Sequence, residues 1–182
     1  RMTTKVYRLS DLGRVQQSGC GKKAERLGNL LSAGFPVPEG FCVPANAYFE
    51  HVPSNTKDNW LETNLFQEMC RYFRHVEIDR DLQDEILTNY QALKSHQPGP
   101  MAVRSSSTAE DLVGHSFAGL YETVLDVVDE TTLLDAVRTC WASYWSDEAV
   151  SYRERVGVEH TKHGMAVLVQ TMISAKYAGV LF

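Results

Sequence analysis

Four consecutive hydroxyl residues, Ser105 to Thr108, follow an apolar lead-in (Met101, Ala102, Val103) and a single arginine, Arg104. No other stretch constrains the fold as much. The lead-in reads as a strand and the hydroxyl run as a polar loop. A small-residue hinge comes next at Ser116-Phe-Ala-Gly119, and Tyr121 to Val127 then mixes β-branched and aromatic residues with polar ones, the composition of a second strand. A strand, a polar loop with one fixed cation, a glycine turn and another strand make a cradle suited to a polyanion. Arginine fits that task because its planar fork stays charged and meets phosphate oxygens in pairs. The same residues admit a second reading, in which Ser107-Thr-Ala-Glu110 is a capping box that only opens a short helix. Both remain open at this level.

The chain has 182 residues, room for one domain or two small lobes around a sizeable core. Its hydrophobic share of 43% and charged share of 23% are those of an ordinary soluble globular protein. A net charge of −5, with no Lys/Arg-rich run, argues against nucleic acid as a partner. No apolar run reaches the roughly 18 residues of a membrane span, and the first residues lack the apolar core of a signal peptide. Cys20, Cys42, Cys70 and Cys140 stand far apart with no C-x-x-C pair, so a zinc site is not expected. They read as reduced thiols of a cytoplasmic protein, with Cys42 and Cys140 in its core.

In chain order, Lys5 to Leu9 alternates as a first strand. Ser18-Gly-Cys-Gly-Lys-Lys23 then leads into a helix carrying Ala24, Leu27, Leu30 and Leu31, stopped by Gly34, Pro36 and Pro38. A glycine-rich turn that brings lysines into a helix N-terminus suits an anion, although it is not a P-loop. Gly40 to Val43 reads as a buried strand, and a helix follows with Pro44 in its first turn. Amphipathic helices are expected from about Trp60 to Arg74 and from about Arg80 to Lys94. Ser95-His-Gln-Pro-Gly-Pro100 is the clearest punctuation, placing a subdomain boundary between residues 1–97 and 98–182. One long helix is expected from about Thr132 to Val156, its Trp141, Tyr144 and Trp145 packed as core. Met165 to Ile173 forms a near-continuous apolar strand interrupted by Gln170. A polar side chain there needs a partner, either a backbone group or the exocyclic edge of a purine. After a turn at Ala175 to Gly179, Val180 to Phe182 begins another strand.

Taken together, four blocks resemble the N-terminal ATP-binding region of the phosphoenolpyruvate synthase and pyruvate phosphate dikinase family, a module shared with rifampicin phosphotransferases. Gly21-Lys-Lys-Ala-Glu-Arg-Leu-Gly28 is similar to the family's G-G-K-G-x-N-L-G, and Val37-Pro-Glu-Gly-Phe-Cys-Val43 to its V-P-x-G-F. Ala102-Val-Arg-Ser-Ser-Ser-Thr-Ala-Glu-Asp111 with Ser116-Phe-Ala-Gly119 resembles A-V-R-S-S-A-T-A-E-D and S-F-A-G. Val169-Gln-Thr-Met-Ile173 with Ala178-Gly-Val-Leu-Phe182 resembles the V-Q-x-M strand and its partner.

The resemblance implies an α+β, ATP-grasp-like lobe with a mixed or antiparallel sheet, flanking helices and a small helical subdomain. It implies ATP as ligand, with Lys23 and Arg104 at the phosphates in the catalytic role. Gly119 and Thr123 would form the phosphate-side loop and strand, and Gln170 the adenine pocket. Such cations act by positioning and by neutralising charge in the transition state. This chain departs from the pattern at Lys22, Ala24, Arg26, Ser107 and Leu120.

The resemblance further implies a dikinase-type phosphotransferase that passes phosphate from ATP through a phosphohistidine to an acceptor. Pyruvate is taken as that acceptor because the reaction is the family's common one; an antibiotic hydroxyl or a glucan is the alternative. Magnesium is implied, with ligands in a second lobe, and that lobe and a phosphohistidine domain are the implied partners. No metal ligand is assigned within the chain. His115 reads as a solvated loop histidine. The chain is therefore expected to be a first lobe, inactive by itself. The competing class is a non-catalytic nucleotide-binding or protein-interaction module, dimerising through the edge at Val180 to Phe182.

Overall fold

A computed structural model describes residues 5–54, 65–112, 117, 119–177 and 179. Helix β-strand order follows from one demand. β5 (Met165–Thr171) is buried at every position, so it needs a hydrogen-bonding neighbour on each edge and a packed layer on each face. Its edge partners are β2 (Gly40–Val43) and β3 (Met101–Ser107), both antiparallel to it. β1 (Tyr7–Arg8) and β4 (Thr123–Val127) complete a five-stranded sheet of order β1-β2-β5-β3-β4 with antiparallel neighbours throughout. The protein is thus α+β, an antiparallel sheet with flanking helices.

The two faces differ in depth. Phe41, Val43, Met101, Val103, Val167 and Val169 point into the larger core. There they meet α3 (Ala45–Glu50), α4 (Leu65–His75), α5 (Arg80–His96), α6 (Glu130–Ser143) and α7 (Asp147–Arg155). Cys42, Ala166 and Leu168 face the other way, against Leu9 and Leu12 of α1 (Leu9–Leu12) and Ala24 of α2 (Gly21–Ser32). Ser95 to Pro100 forms the end of α5 and the link to β3; β1 and β2 precede it, β3 to β5 follow it, and all five share one sheet.

Two expectations are corrected. Arg104 to Ser107 is not a loop: β3 runs through all four residues and pairs with β5 as far as Ser107 opposite Met165. The serines can enter the sheet because each hydroxyl has a partner. Ser105 Oγ donates to Glu122 O at 2.7 Å and Ser106 Oγ to Cys20 O at 2.8 Å, while Ser107 Oγ accepts from Ala109 N at 3.1 Å. The helix expected over 132–156 is in fact two, parted at Tyr144 to Ser146. Ser146 Oγ accepts from Ala149 N at 3.2 Å, a new N-cap with Asp147 and Glu148 in the first turn of α7. The start of the helix expected at Trp60, His115, and the strand at Val180 to Phe182 lie outside the described residues.

One cation lies within the core. Arg153 is fully buried; its Nε donates to His160 Nδ1 at 3.0 Å and its Nη2 to Tyr144 O at 2.5 Å. Burial and then the adjacent guanidinium hold the His160 pKa below its ordinary value. Between that lowered pKa and the free value of about 6.5 the unfolded chain binds more protons, so stability rises with pH across this window. Urea unfolding at a series of pH values should therefore show stability falling as pH drops through about 6.5, with no further loss from this residue below its folded pKa. His160→Gln should flatten that segment of the profile; an unchanged slope would place the proton elsewhere.

Candidate functional site

The residues singled out by sequence gather where the thin helical layer ends. Register aligns Tyr7, Cys42, Leu168, Arg104 and Thr123 in one row across the sheet. α2 covers the row as far as Leu168. Beyond that edge Arg104 is half-buried and Thr123, the first residue of β4, is exposed. In the next row, Gln170 of β5 lies opposite Ala102 and is 4% exposed. It projects from the same face as Arg104, and the two side chains meet: Arg104 Nη1 donates to Gln170 Oε1 at 3.2 Å. The Gln170 amide in turn donates to Pro38 O at 3.2 Å. The polar interruption in β5 is thus satisfied within the chain, by one backbone and one side-chain partner. No other hydrogen bond holds the Arg104 fork among the described residues, which leaves most of its N–H donors open.

Lys23 approaches from the first turn of α2. Its Nζ donates to Ser105 O at 2.8 Å and lies 3.4 Å from Glu110 Oε2. The ammonium is 35% and the carboxylate 22% exposed, so the pair contributes roughly 0–1 kcal/mol to stability. Glu110 sits in the short 3₁₀ helix Thr108–Asp111, which Ser107 caps. The capping half of the Ser107–Glu110 reading therefore holds at Ser107. Glu110 itself turns to Lys23, a role that sequence reasoning did not assign. Acidic spacing three residues after a cap was the visible signal, and it is shared by a helix-closing carboxylate and an ion-pair partner.

Close backbone contact brings Lys23 to this wall. Gly21 opens α2 at φ 74°, and a Cβ there would stand 2.7 Å from Ser106 Oγ and 3.2 Å from Ser106 O. Gly119 also has positive φ, 76°, and an added Cβ would meet none of the described atoms within 4 Å. Its turn, closed by Leu120 N to Phe117 O at 3.2 Å, precedes β4. Among the described residues no hydrogen bond joins Gly119 to Arg104 or Lys23; what links them is the β3–β4 ladder, through Ser105 N to Glu122 O at 3.2 Å.

Other reactive groups are committed elsewhere. Burial pushes the Cys140 thiol up to about 12 and raises Cys42 well above its ordinary value. His51 is buried, its Nδ1 against Ala47 O at 2.7 Å and its Nε2 accepting from Asp79 N at 3.0 Å. Among the described residues no three His, Cys, Asp or Glu side chains are grouped to hold a metal ion. No helix of the described chain is long and apolar enough to cross a membrane.

Comparison with known proteins matches residues 18–182 to the family of pyruvate phosphate dikinase AMP/ATP-binding domains. A probable phosphoenolpyruvate synthase of Methanothermobacter thermautotrophicus is 36% identical over 200 residues, an alignment spanning 100% of this chain and 29% of that protein. The phosphoenolpyruvate synthase of Pyrococcus furiosus is 31% identical, over 89% of this chain and 26% of its own length. A rifampicin phosphotransferase of Bacillus cereus is 32% identical, over 100% of this chain and 22% of its length. The chain thus spans between about a fifth and a third of these relatives.

The contact at Gly21 yields a direct test of how Lys23 is delivered. Gly21→Ala should cost about 1–3 kcal/mol, from the positive φ and the displaced Ser106. Chemical denaturation monitored by circular dichroism measures that loss, and a neutral result would contradict the close approach of α2 to β3.

Proposed function

The chain belongs to the family of pyruvate phosphate dikinase AMP/ATP-binding domains, and from that premise we propose that it supplies one wall of an ATP cleft in a dikinase-type phosphotransferase. Arg104 and Lys23 would hold the phosphates, Gly119 and Thr123 would border them, and Gln170 would mark the adenine side. A second lobe would close the cleft. The whole protein would then transfer phosphate from ATP through a phosphohistidine on a separate domain to pyruvate. The names of the synthase relatives support that acceptor, and that of the Bacillus relative supports the antibiotic alternative.

The Arg104 guanidinium carries this reading. It stands at the end of the covered face with one donor anchored on Gln170 and the rest of its fork unused among the described residues. A phosphate reaching it gains charge-assisted bonds without first breaking an ion pair. Lys23 requires an exchange: its contact with Glu110 would give way to a phosphate oxygen, while Ser105 O keeps the ammonium near the strand. Both residues would act by position and charge rather than by bond formation, which is what a metaphosphate-like transition state demands of a protein. Magnesium would neutralise the same phosphates when present. Its protein ligands would come from the second lobe, as the family resemblance implies.

Titration with a fluorescent ATP analogue tests the assignment. Arg104→Ala should weaken binding by about 10- to 100-fold, the equivalent of one or two charge-assisted bonds. Unchanged affinity in a folded variant would sink it. Absence of binding by the parent chain, with a dimer in light scattering, would favour the interaction module instead. Purified residues 1–182 should show no ATP-dependent phosphate transfer to pyruvate, and robust turnover would overturn the single-wall reading.

A further inference from the structure

Arg153 lies away from the Arg104 row and has no part in the reading above, yet its geometry leads back to the site. It is 0% exposed, and the ion pairs among the described residues do not include it. Its neighbours are uncharged: His160 Nδ1, Tyr144 O, Tyr121 Oη at 3.4 Å from Nη1, and the face of the Tyr144 ring 3.8 Å from Cζ. A methionine of similar length would fill this space without the desolvation cost of a buried charge. Stability alone therefore does not account for a guanidinium here; the direction of its hydrogen bonds does.

One of those bonds, from Nη1 to Tyr121 Oη, reaches the residue that follows the Gly119 turn. Tyr121 stacks between Phe117, 6.2 Å away and 7° from parallel, and Tyr144, 6.2 Å away and 11° from parallel. Phe117 meets Tyr152 of α7 edge-on at 4.9 Å. Both sides of the turn are thus clamped to α6 and α7, with Gly119 between them. The Tyr121 hydroxyl accepts the Arg153 hydrogen bond at 3.4 Å. One buried cation therefore reaches the glycine turn of the wall through a single phenol.

We propose that Arg153 is a positioning residue which, through Tyr121, fixes the Gly119 turn in the geometry that receives the nucleotide phosphates. The link to phosphates rests on the ATP reading given above; the clamp on the turn does not. Two variants of the 182-residue chain separate the parts. Tyr121→Phe deletes only the hydroxyl and keeps the ring stack, while Arg153→Met removes the charge. Hydrogen exchange of the amides at 119–121 reads the clamp, and calorimetry with ATP and with adenosine reads the site.

In Tyr121→Phe, whose melting temperature should stay near that of the parent, exchange should accelerate about tenfold, as expected for a locally loosened segment. ATP affinity should fall about fivefold with adenosine affinity unchanged, the signature of a lost phosphate-side contact. Arg153→Met, where it folds, should give the same split between ATP and adenosine. Exchange unchanged in Tyr121→Phe overturns the proposal whatever the nucleotide does. ATP and adenosine weakened equally would reduce Arg153 to a packing residue and overturn it as well. Accelerated exchange in a protein that binds no ATP would overturn the ATP reading and leave the clamp on the turn standing.

Discussion

A strand buried on both faces governs this fold. Every residue of β5 is removed from water, so each of its peptide groups must be paired and each of its faces must be packed. β2 and β3 supply the pairing, and two helical layers of unequal size supply the packing. Val167 and Val169 on one side and Ala166 and Leu168 on the other cannot reach water in any arrangement that keeps this register. The thin layer, α1 and α2, meets β3 at Ser105 and Ser106 but leaves Arg104 half-buried and Thr123 exposed. Where its cover ends, the sheet face turns from Leu168 to Arg104 and Thr123, and the candidate site begins.

At that border the local electrostatics are largely self-contained. Arg104 leans on a neutral amide, Lys23 on a carbonyl and a carboxylate, and Arg153 on an imidazole, a carbonyl, a phenol and an aromatic face. These are three different ways to hold a cation, and they differ in what a ligand could take. Arg104 has donors to spare, Lys23 has a partner it can release, and Arg153 has no route to solvent. Accessibility rather than charge separates Arg104 and Lys23, which a ligand could reach, from Arg153, which it could not.

Much of this was legible in the residues. Gly40 to Val43 matched its strand, and Gln170 was marked as a polar group in need of a partner. Both signals are local, set by periodicity or by a single out-of-place side chain. The hydroxyl run was misread because polarity was taken as exposure. Ser105, Ser106 and Ser107 are each 2% exposed or less, and their partners at positions 122, 20 and 109 include two that are distant in sequence and invisible to any local pattern. The break at Ser146 had a local signal in Ser-Asp-Glu, outweighed by the apolar periodicity running through Trp145. Tyr121 and Arg153, thirty-two positions apart, carry no signal that one sequence could reveal.

The contact between Lys23 and Glu110 has a consequence of another kind. A surface built to meet polyphosphate commonly bears a bare positive charge, which any passing anion can hold. Here the ammonium already has a resident anion on the same chain. Occupancy would then be an ion exchange, with Glu110 as the displaced counter-ion. Monovalent anions, which bring no more charge than the carboxylate they must evict, gain little by competing, whereas a triphosphate brings several charges at once. In the proposed site a tethered carboxylate would act as a mild threshold, setting how much negative charge a visitor must carry before the lysine changes hands.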